Sequence, residues 1–567
     1  MQENNRLSTP FSDSMDIACP HGEYPRPMLK RDSFICLNGE WDFAYSISEP
    51  TVYTEKILVP FCPESTLSGV GRGHSNDELL FYKRRFTLPE GFKQDRVILH
   101  FGAVDQVCEV FINNCSAGTH EGGYLPFFFD ITHLLYEDSN EIKVTVRDTL
   151  SELYPYGKQK KKRGGMWYTP VSGIWQTVWL ESLPKKPVNS IKITPSMSSV
   201  KIELDTEAVH KRLTLTESGE RFEFEENEIT LTPNDARKWS PEDPYLYNFI
   251  IETETDKIES YFALREISTE KINGAPRLCL NGEPYLFNGL LDQGYFPDGI
   301  YLPATIEGYK NDITTAKALG FNMLRKHIKI EPAIFYYLCD SLGMVVFQDM
   351  VNNSDYSFIR DTALPTVGLK RLSDKRLHKN RKSREIFLSH SKETLNLLYN
   401  YPSVLCYTIF NEGWGQFTAD KVYRELKALD GTRIYDATSG WFWQNESDLD
   451  SHHVYFKKLK IKLSSEKPTV ISEFGGYSHR CEGHLFGDKN YGYKSFDKRE
   501  DFELALERLY LDEVLPLVKK GVSALVYTQI SDVEDETNGF LTYDRRVLKV
   551  DAERFLKISK ELKDTLA

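Results

Sequence analysis

The segment "VLCYTIFNEGWGQF", Val404 to Phe417, decides how the C-terminal half of this chain must be built. An apolar run of strand-forming residues ends in Asn411-Glu412 and is broken at once by Gly413 and Gly415. A strand that merely fed a loop would not need a carboxylate at its last residue. In a parallel barrel, functional groups project from the C-terminal ends of the strands, so this acid predicts a barrel rim.

Seven further apolar runs accompany it: "FNGLLDQG", "FNMLRKH", "GMVVFQDM", "RIYDATSG", "SHHVYF", "TVISEFGG" and "SALVYTQI". Helix-like stretches lie between them, among them "YKNDITTAKALG", "SKETLNLLYN", "DKVYRELKAL" and "DFELALERLYLDEVLPLVKK". Eight strand–helix units in roughly 300 residues predict a (β/α)8 TIM barrel over residues 269–567. The competing doubly wound sheet lacks its Gly-rich nucleotide loop. "SGVGRGHS" is a broken match and lies in a β-rich region.

Residues 1–185 alternate with period two in "RVILHFGAVDQVCEVFINN", "NEIKVTVRD" and "GIWQTVWLES", which predicts a β-sandwich. "FICLNGEWDFAYS" puts Asn38-Gly39 between two apolar runs, a hairpin signal. Residues 186–268 form a second β-segment of a size that suits a small immunoglobulin-like sandwich. A last hairpin, "LCLNGEPYLFNG", leads into the barrel.

Bulk properties narrow the function. A chain of 567 residues exceeds one core, and 40% hydrophobic with 27% charged residues is ordinary for globular domains. Aromatics reach 13%, which suits β-rich cores and sugar-stacking surfaces. A net charge of −13 argues against nucleic acid as the partner. The first twenty residues show no leader pattern and no eighteen-residue apolar run occurs, so no membrane association is expected. Nine scattered cysteines without CxxC pairs fit a reducing, cytoplasmic setting.

The fourth strand ends in Glu412 and the seventh in Glu473, within "ISEFGG". Set three strands apart, these two acids would face each other across the mouth. Facing carboxylates can cleave a glycosidic bond: one attacks the anomeric carbon while the other, protonated, hands a proton to the departing oxygen. Their separation sets the stereochemistry, retention at roughly 5–5.5 Å and inversion when a water fits between. No metal or cofactor is required.

These motifs carry a family resemblance. The last 300 residues or so resemble the catalytic barrel of glycoside hydrolase family 2, with "FNEGWGQ" similar to its acid/base motif and "ISEFGG" to its nucleophile motif. "HEGGYLPFFFDIT" and "GGMWYTPVSGIWQTVWLES" resemble its jelly-roll sugar-binding domain, and "WSPEDPYLY" and "FALREI" its immunoglobulin-like spacer. The resemblance implies Glu412 as acid/base and Glu473 as nucleophile. By position, Asn411 would donate to the sugar 2-hydroxyl and Arg325 would hold the nucleophile ionised. His327 would contact sugar hydroxyls, and Tyr455 would hydrogen-bond the nucleophile. Trp414 and Trp441 are candidate subsite walls. Tyr527 stands where many members carry a tryptophan beneath the sugar.

The sugar itself is open. The Asn-x-Lys pair with which the family's β-glucuronidases grip a carboxylate is absent from "ETNGFLTYDRR", and Gly164-Gly165 replace the jelly-roll aspartate of the large β-galactosidases. Two basic runs, Gly157–Gly165 and Lys370–Arg384, could attract an anionic sugar, their bland alternative being solvated surface. The acidic cluster Asp532, Glu534, Asp535 and Glu536 reads as a polar loop rather than a metal site. Together these features predict an exo-acting retaining β-glycosidase. β-D-Galactosides rank first and β-hexuronides second, with a non-catalytic carbohydrate-binding protein as the alternative of a different class. Assembly into a homo-oligomer is left open.

Overall fold

The computed structural model describes residues 7–370 and 372–565. Eight parallel strands form one sheet near the C-terminal end: β1 (Phe287–Asp292), β2 (Met323–Lys326), β3 (Val345–Asp349), β4 (Val404–Asn411), β5 (Ile434–Ser439), β6 (Asp450–Val454), β7 (Thr469–Gly475) and β8 (Ala524–Thr528). Their order in space, β5-β4-β3-β2-β1-β8-β7-β6, runs consecutively around a barrel, as the alternation predicts. Side chains bridge the β5–β6 seam, where Ser439 Oγ lies 3.3 Å from Ser451 Oγ.

Each strand reads as a continuous apolar run because both faces are covered. One face packs inward, where Phe287, Met323, Phe347, Val470 and Val526 fill the barrel. The other, including Leu290, Leu324, Val346, Ile471 and Leu525, packs under the helices. Leu278 and Leu280, from the hairpin strand Ala275–Leu280, join the inner cluster and plug the bottom of the barrel. The mouth at the opposite end is thus the accessible end.

The N-terminal region forms two antiparallel sheets of four and six strands, a β-sandwich. Two smaller sheets between Ser190 and Phe262 form the second sandwich. Asn38-Gly39 is not a hairpin, which corrects the sequence expectation. Phe34–Cys36 pairs with Val178–Leu183 in one sheet, whereas Gly39–Ser46 pairs in the other. The dipeptide is a crossover between sheets: Asn38 Oδ1 accepts from Val178 N at 3.0 Å, and a Cβ on Gly39 would stand 2.5 Å from Ala18 O. A buried Arg31 joins the two sandwiches through Glu181 at 2.8 Å and Asp256 at 2.7 Å.

A long loop of the first sandwich is fastened to the barrel mouth. Tyr156 N donates to Asn352 O at 3.1 Å, and Tyr156 Oη to Ser354 O at 2.9 Å. Tyr168 Oη donates to Glu536 at 2.7 Å, and Thr169 N to Glu534 at 2.8 Å. Asp532 is paired with Lys549 at 2.6 Å. The acidic cluster therefore ties loops together, in line with its reading as a polar loop. Among the described residues, no helix is long and apolar enough to cross a membrane.

Candidate active site

Two backbone irregularities aim the predicted acids. Glu412 follows the last residue of β4 with φ of +53°, and Gly413 continues in the left-handed region at +73°. A Cβ on Gly413 would stand 2.1 Å from the Phe442 ring, so only glycine fits beside Glu412. Glu412 N donates to Ser439 O at 2.9 Å, which holds the turn against β5. On β7 the ladder to β8 slips between Ile471 and Phe474, and the facing ladder slips between His452 and His453. Such a bulge re-aims side chains that strict alternation would send to opposite faces. Ser472 Oγ thus lies 3.0 Å from Ser439 Oγ inside the barrel, while neighbouring Glu473 also reaches the interior.

Glu412 and Glu473 come together. One oxygen of each carboxylate and a nitrogen of His453 all lie within 4.8 Å of one another. This is the only set of three among the described residues spaced to hold a cation. At 2.8 Å, the contact between His453 Nδ1 and Glu412 Oε1 is a hydrogen bond.

Arg325, from the inner face of β2, is 1% exposed and connects the site. Its Nη1 donates to Glu473 Oε1 at 3.1 Å and Ser472 O at 2.9 Å, its Nη2 to Asn411 Oδ1 at 2.9 Å, and its Nε to Asp349 at 2.9 Å. Tyr455, just past β6, donates to Glu473 Oε2 at 2.5 Å. Burial alone would raise the Glu473 carboxyl. His453, Arg325, His327 and Lys158 around it outweigh that and hold the group at about 2, so it is an anion at neutral pH. Burial, reinforced by the Glu473 charge, pushes the Tyr455 phenol well up, which keeps it a donor.

Asn411 accepts from Arg325 through Oδ1, leaving its amide nitrogen without a protein partner among the described residues. His327 bonds Asp349 through Nδ1 at 2.6 Å; burial, with Lys158 nearby, lowers it to about 4, so the ring is neutral. Trp441 Nε1 donates to the backbone oxygen of Glu412 at 2.8 Å and so braces the acid's turn. Trp414 donates from Nε1 to Ser354 O at 3.2 Å. It is 3% exposed in a cluster with Tyr156, Trp167 and Tyr356.

Tyr527 corrects the expectation for β8. It is fully buried on the outer face, against Phe474, Tyr510 and Phe540. Strand side chains alternate, so the next residue faces inward instead. Thr528 Oγ1 stands 2.8 Å from Tyr455 Oη.

Several site residues escaped the sequence reading. His453 shares the inward face with Ser451 and Tyr455, and that period-two spacing was a usable signal. Asp349 ends β3, another strand-end acid. Lys158 lies in the first basic run, and its charge acts on Glu473, His327 and Glu536. Its ammonium has no hydrogen-bond or ion-pair partner among the described residues. Within the basic runs, Arg163 pairs with Glu534 at 3.4 Å and Arg381 with Glu385 at 2.7 Å. Lys370 lies 5.9 Å from the centres of the Trp441 and Trp443 rings, within the field of Glu412. Arg371, in the second run, lies outside the described residues.

Sequence profiles place this architecture in a family. The sugar-binding domain of glycosyl hydrolases family 2 matches residues 71–184, the family's central domain matches 189–265, and its TIM barrel domain matches 277–539. The chain belongs to glycosyl hydrolases family 2.

It is 25% identical over 446 residues to a β-galactosidase of Thermoanaerobacter pseudethanolicus, covering 72% of this chain and 55% of that protein. It is 24% identical over 486 residues to a β-galactosidase of Priestia megaterium, covering 78% and 44%. The chain thus spans about half the length of these curated relatives.

Among solved structures, a β-D-glucuronidase of Dictyoglomus thermophilum superposes with a TM-score of 0.74 at 17% identity, over 95% of this chain and 98% of that one. A β-galacturonidase of Eisenbergiella tayi bound to galacturonate gives 0.70 at 19% identity, over 95% and 99%. At such identities the likeness is one of fold.

Proposed function

We propose that this chain is an exo-acting retaining β-glycosidase that removes a terminal β-linked sugar from a non-reducing end. The observation that carries the reading is the spacing of Glu412 and Glu473. One oxygen of each lies within 4.8 Å of the other, which supports the close class, roughly 5–5.5 Å between carboxyl groups, over the wider inverting spacing of about 6.5–9.5 Å. Glu473, held ionised, attacks the anomeric carbon. Glu412 gives its proton to the leaving oxygen, then takes one from the water that releases the sugar. The unpartnered amide of Asn411 is available to the 2-hydroxyl, a contact that strengthens as charge builds at the anomeric centre. Nine free cysteines support a reducing, cytoplasmic location.

β-D-Galactosides are the first substrates to test, since both relatives named above are called β-galactosidases. A specific observation favours a second reading, β-hexuronides: Lys158 brings an unpaired ammonium into the field of the nucleophile. A panel of nitrophenyl β-glycosides, read with wild type and Lys158→Ala, separates them. A galactosidase releases nitrophenol from the galactoside, and the variant keeps most of that rate. A hexuronidase prefers the uronide and loses it in the variant. Binding without release from any member would favour the non-catalytic alternative.

A further inference from the structure

His453 stands between the two acids, yet the double displacement assigns it no step. Its Nδ1 is 2.8 Å from Glu412 Oε1. Its Nε2 is 2.9 Å from Ser439 Oγ, 3.4 Å from Arg325 Nη1 and 3.6 Å from Glu473 Oε1. The ring cannot swing away: it is 3% exposed, Trp441 packs against it at 5.7 Å, and a Cβ on Gly440 would stand 2.8 Å from Nδ1. Among the described residues, no other side chain hydrogen-bonds the Glu412 carboxylate. Trp441 and Ser439 hold only its backbone.

The neighbours indicate where the ring proton sits. A guanidinium donates and cannot accept, so the nitrogen facing Arg325 offers its lone pair. That leaves the proton on Nδ1, pointing at Glu412. We propose that His453 is the positioning residue of the acid/base. Its Nδ1–H occupies Oε1, so Oε2 alone exchanges protons with the reacting oxygens. In the first step the Oε2 proton passes to the glycosidic oxygen as the C1–O bond breaks and the bond from Glu473 forms. In the second, a water proton passes to Oε2 as its oxygen bonds C1 and the ester bond breaks. The His453 proton stays in place throughout.

This inference rests on reading Glu412 as acid/base, and the test keeps the two apart. His453→Ala, His453→Gln and His453→Asn are compared in the full chain, using alkyl and 2,4-dinitrophenyl β-glycosides of the sugar that wild type cleaves. A general acid contributes roughly 100- to 10,000-fold, and mainly for poor leaving groups. The Ala and Gln variants should therefore lose about 10- to 100-fold in kcat/KM on the alkyl glycoside and under about threefold on the dinitrophenyl one. Asn places an N–H where Nδ1 stood and should recover much of the loss. Equal losses on both leaving groups, or an Asn variant no better than Ala, would overturn the proposal.

Spectra of protein labelled with ¹⁵N-histidine read the ring independently of turnover. A protonated Nδ1 is expected, and a bare one would overturn the clamp. If Glu412→Gln loses both substrates equally, it is the acid/base reading that fails, and the spectra still decide on His453.

Discussion

Replacing Arg325 by Gln should move the acid side of the activity profile into view. Arg325 Nη1 lies 3.1 Å from Glu473 Oε1, and both side chains are buried. At an effective dielectric of about 20, a charge pair at that distance interacts by about 5 kcal/mol, or roughly 4 pKa units. Gln retains a donor, water enters the vacated space, Lys158 keeps its charge, and His453 and His327 stay beside the carboxylate. About half of the effect should remain, roughly 2 units. Glu473 sits at about 2 with Arg325 present, so the variant's nucleophile should titrate near pH 4.

The sign follows from the chemistry. Glu473 acts as an anion, so activity is lost as pH falls through its pKa. Wild type should hold its kcat/KM down to the acid edge of folding, while the Gln variant declines below about pH 5. The assay is kcat/KM against pH on a nitrophenyl glycoside, with circular dichroism at each pH. Removing one partner of a buried pair costs about 3–5 kcal/mol, so the measurement belongs at 25 °C or below. A folded, active Arg325→Gln enzyme with the wild-type acid limb would refute the reasoning.

Glu473→Gln should abolish turnover, whereas Glu412→Gln should keep measurable rates on dinitrophenyl glycosides; equal residual rates would contradict the assigned roles. Tyr455→Phe removes the 2.5 Å bond to Glu473 Oε2. Hydrogen bonds to charged groups are worth about 1.5–3 kcal/mol, so its kcat should fall roughly 10- to 100-fold with folding intact, and an unchanged kcat would refute that. Asp340, buried where the second sandwich meets the barrel, accepts from Ser403 N at 2.8 Å and Tyr261 Oη at 2.7 Å. Burial raises it to about 7. A raised carboxyl favours folding while protonated, and that advantage is lost as pH climbs through the folded value. Between pH 5.5 and 8.5, wild type should therefore lose on the order of 2 kcal/mol that Asp340→Asn does not, read as the shift in urea midpoints.

The barrel was legible because each buried parallel strand is one short apolar run, and both acids sit at or beside strand ends where polarity stands out. Where legibility failed, geometry shows why. Asn38-Gly39 has hairpin chemistry, but its flanking strands belong to different sheets, a distinction only long-range pairing makes. Tyr527 and Thr528 are adjacent, and from sequence nothing says which one faces inward; the wrong parity exchanges a core aromatic for a site hydroxyl. The bulge that turns both Ser472 and Glu473 inward breaks the periodicity that sequence reading relies on. Lys158 reaches the site from a different domain, through contacts such as Tyr156 to Asn352, across a separation in sequence that no local pattern spans.

The most direct test of the account is to trap its intermediate. The protein is incubated with a 2-deoxy-2-fluoro β-glycoside bearing a dinitrophenyl leaving group, in the sugar series it cleaves, then digested and analysed by mass spectrometry. A close pair of carboxylates working by double displacement predicts one glycosyl ester, on the peptide carrying Glu473 and absent from Glu473→Gln. Release of the α-anomer as first product with no adduct, or an ester on another residue, would contradict it.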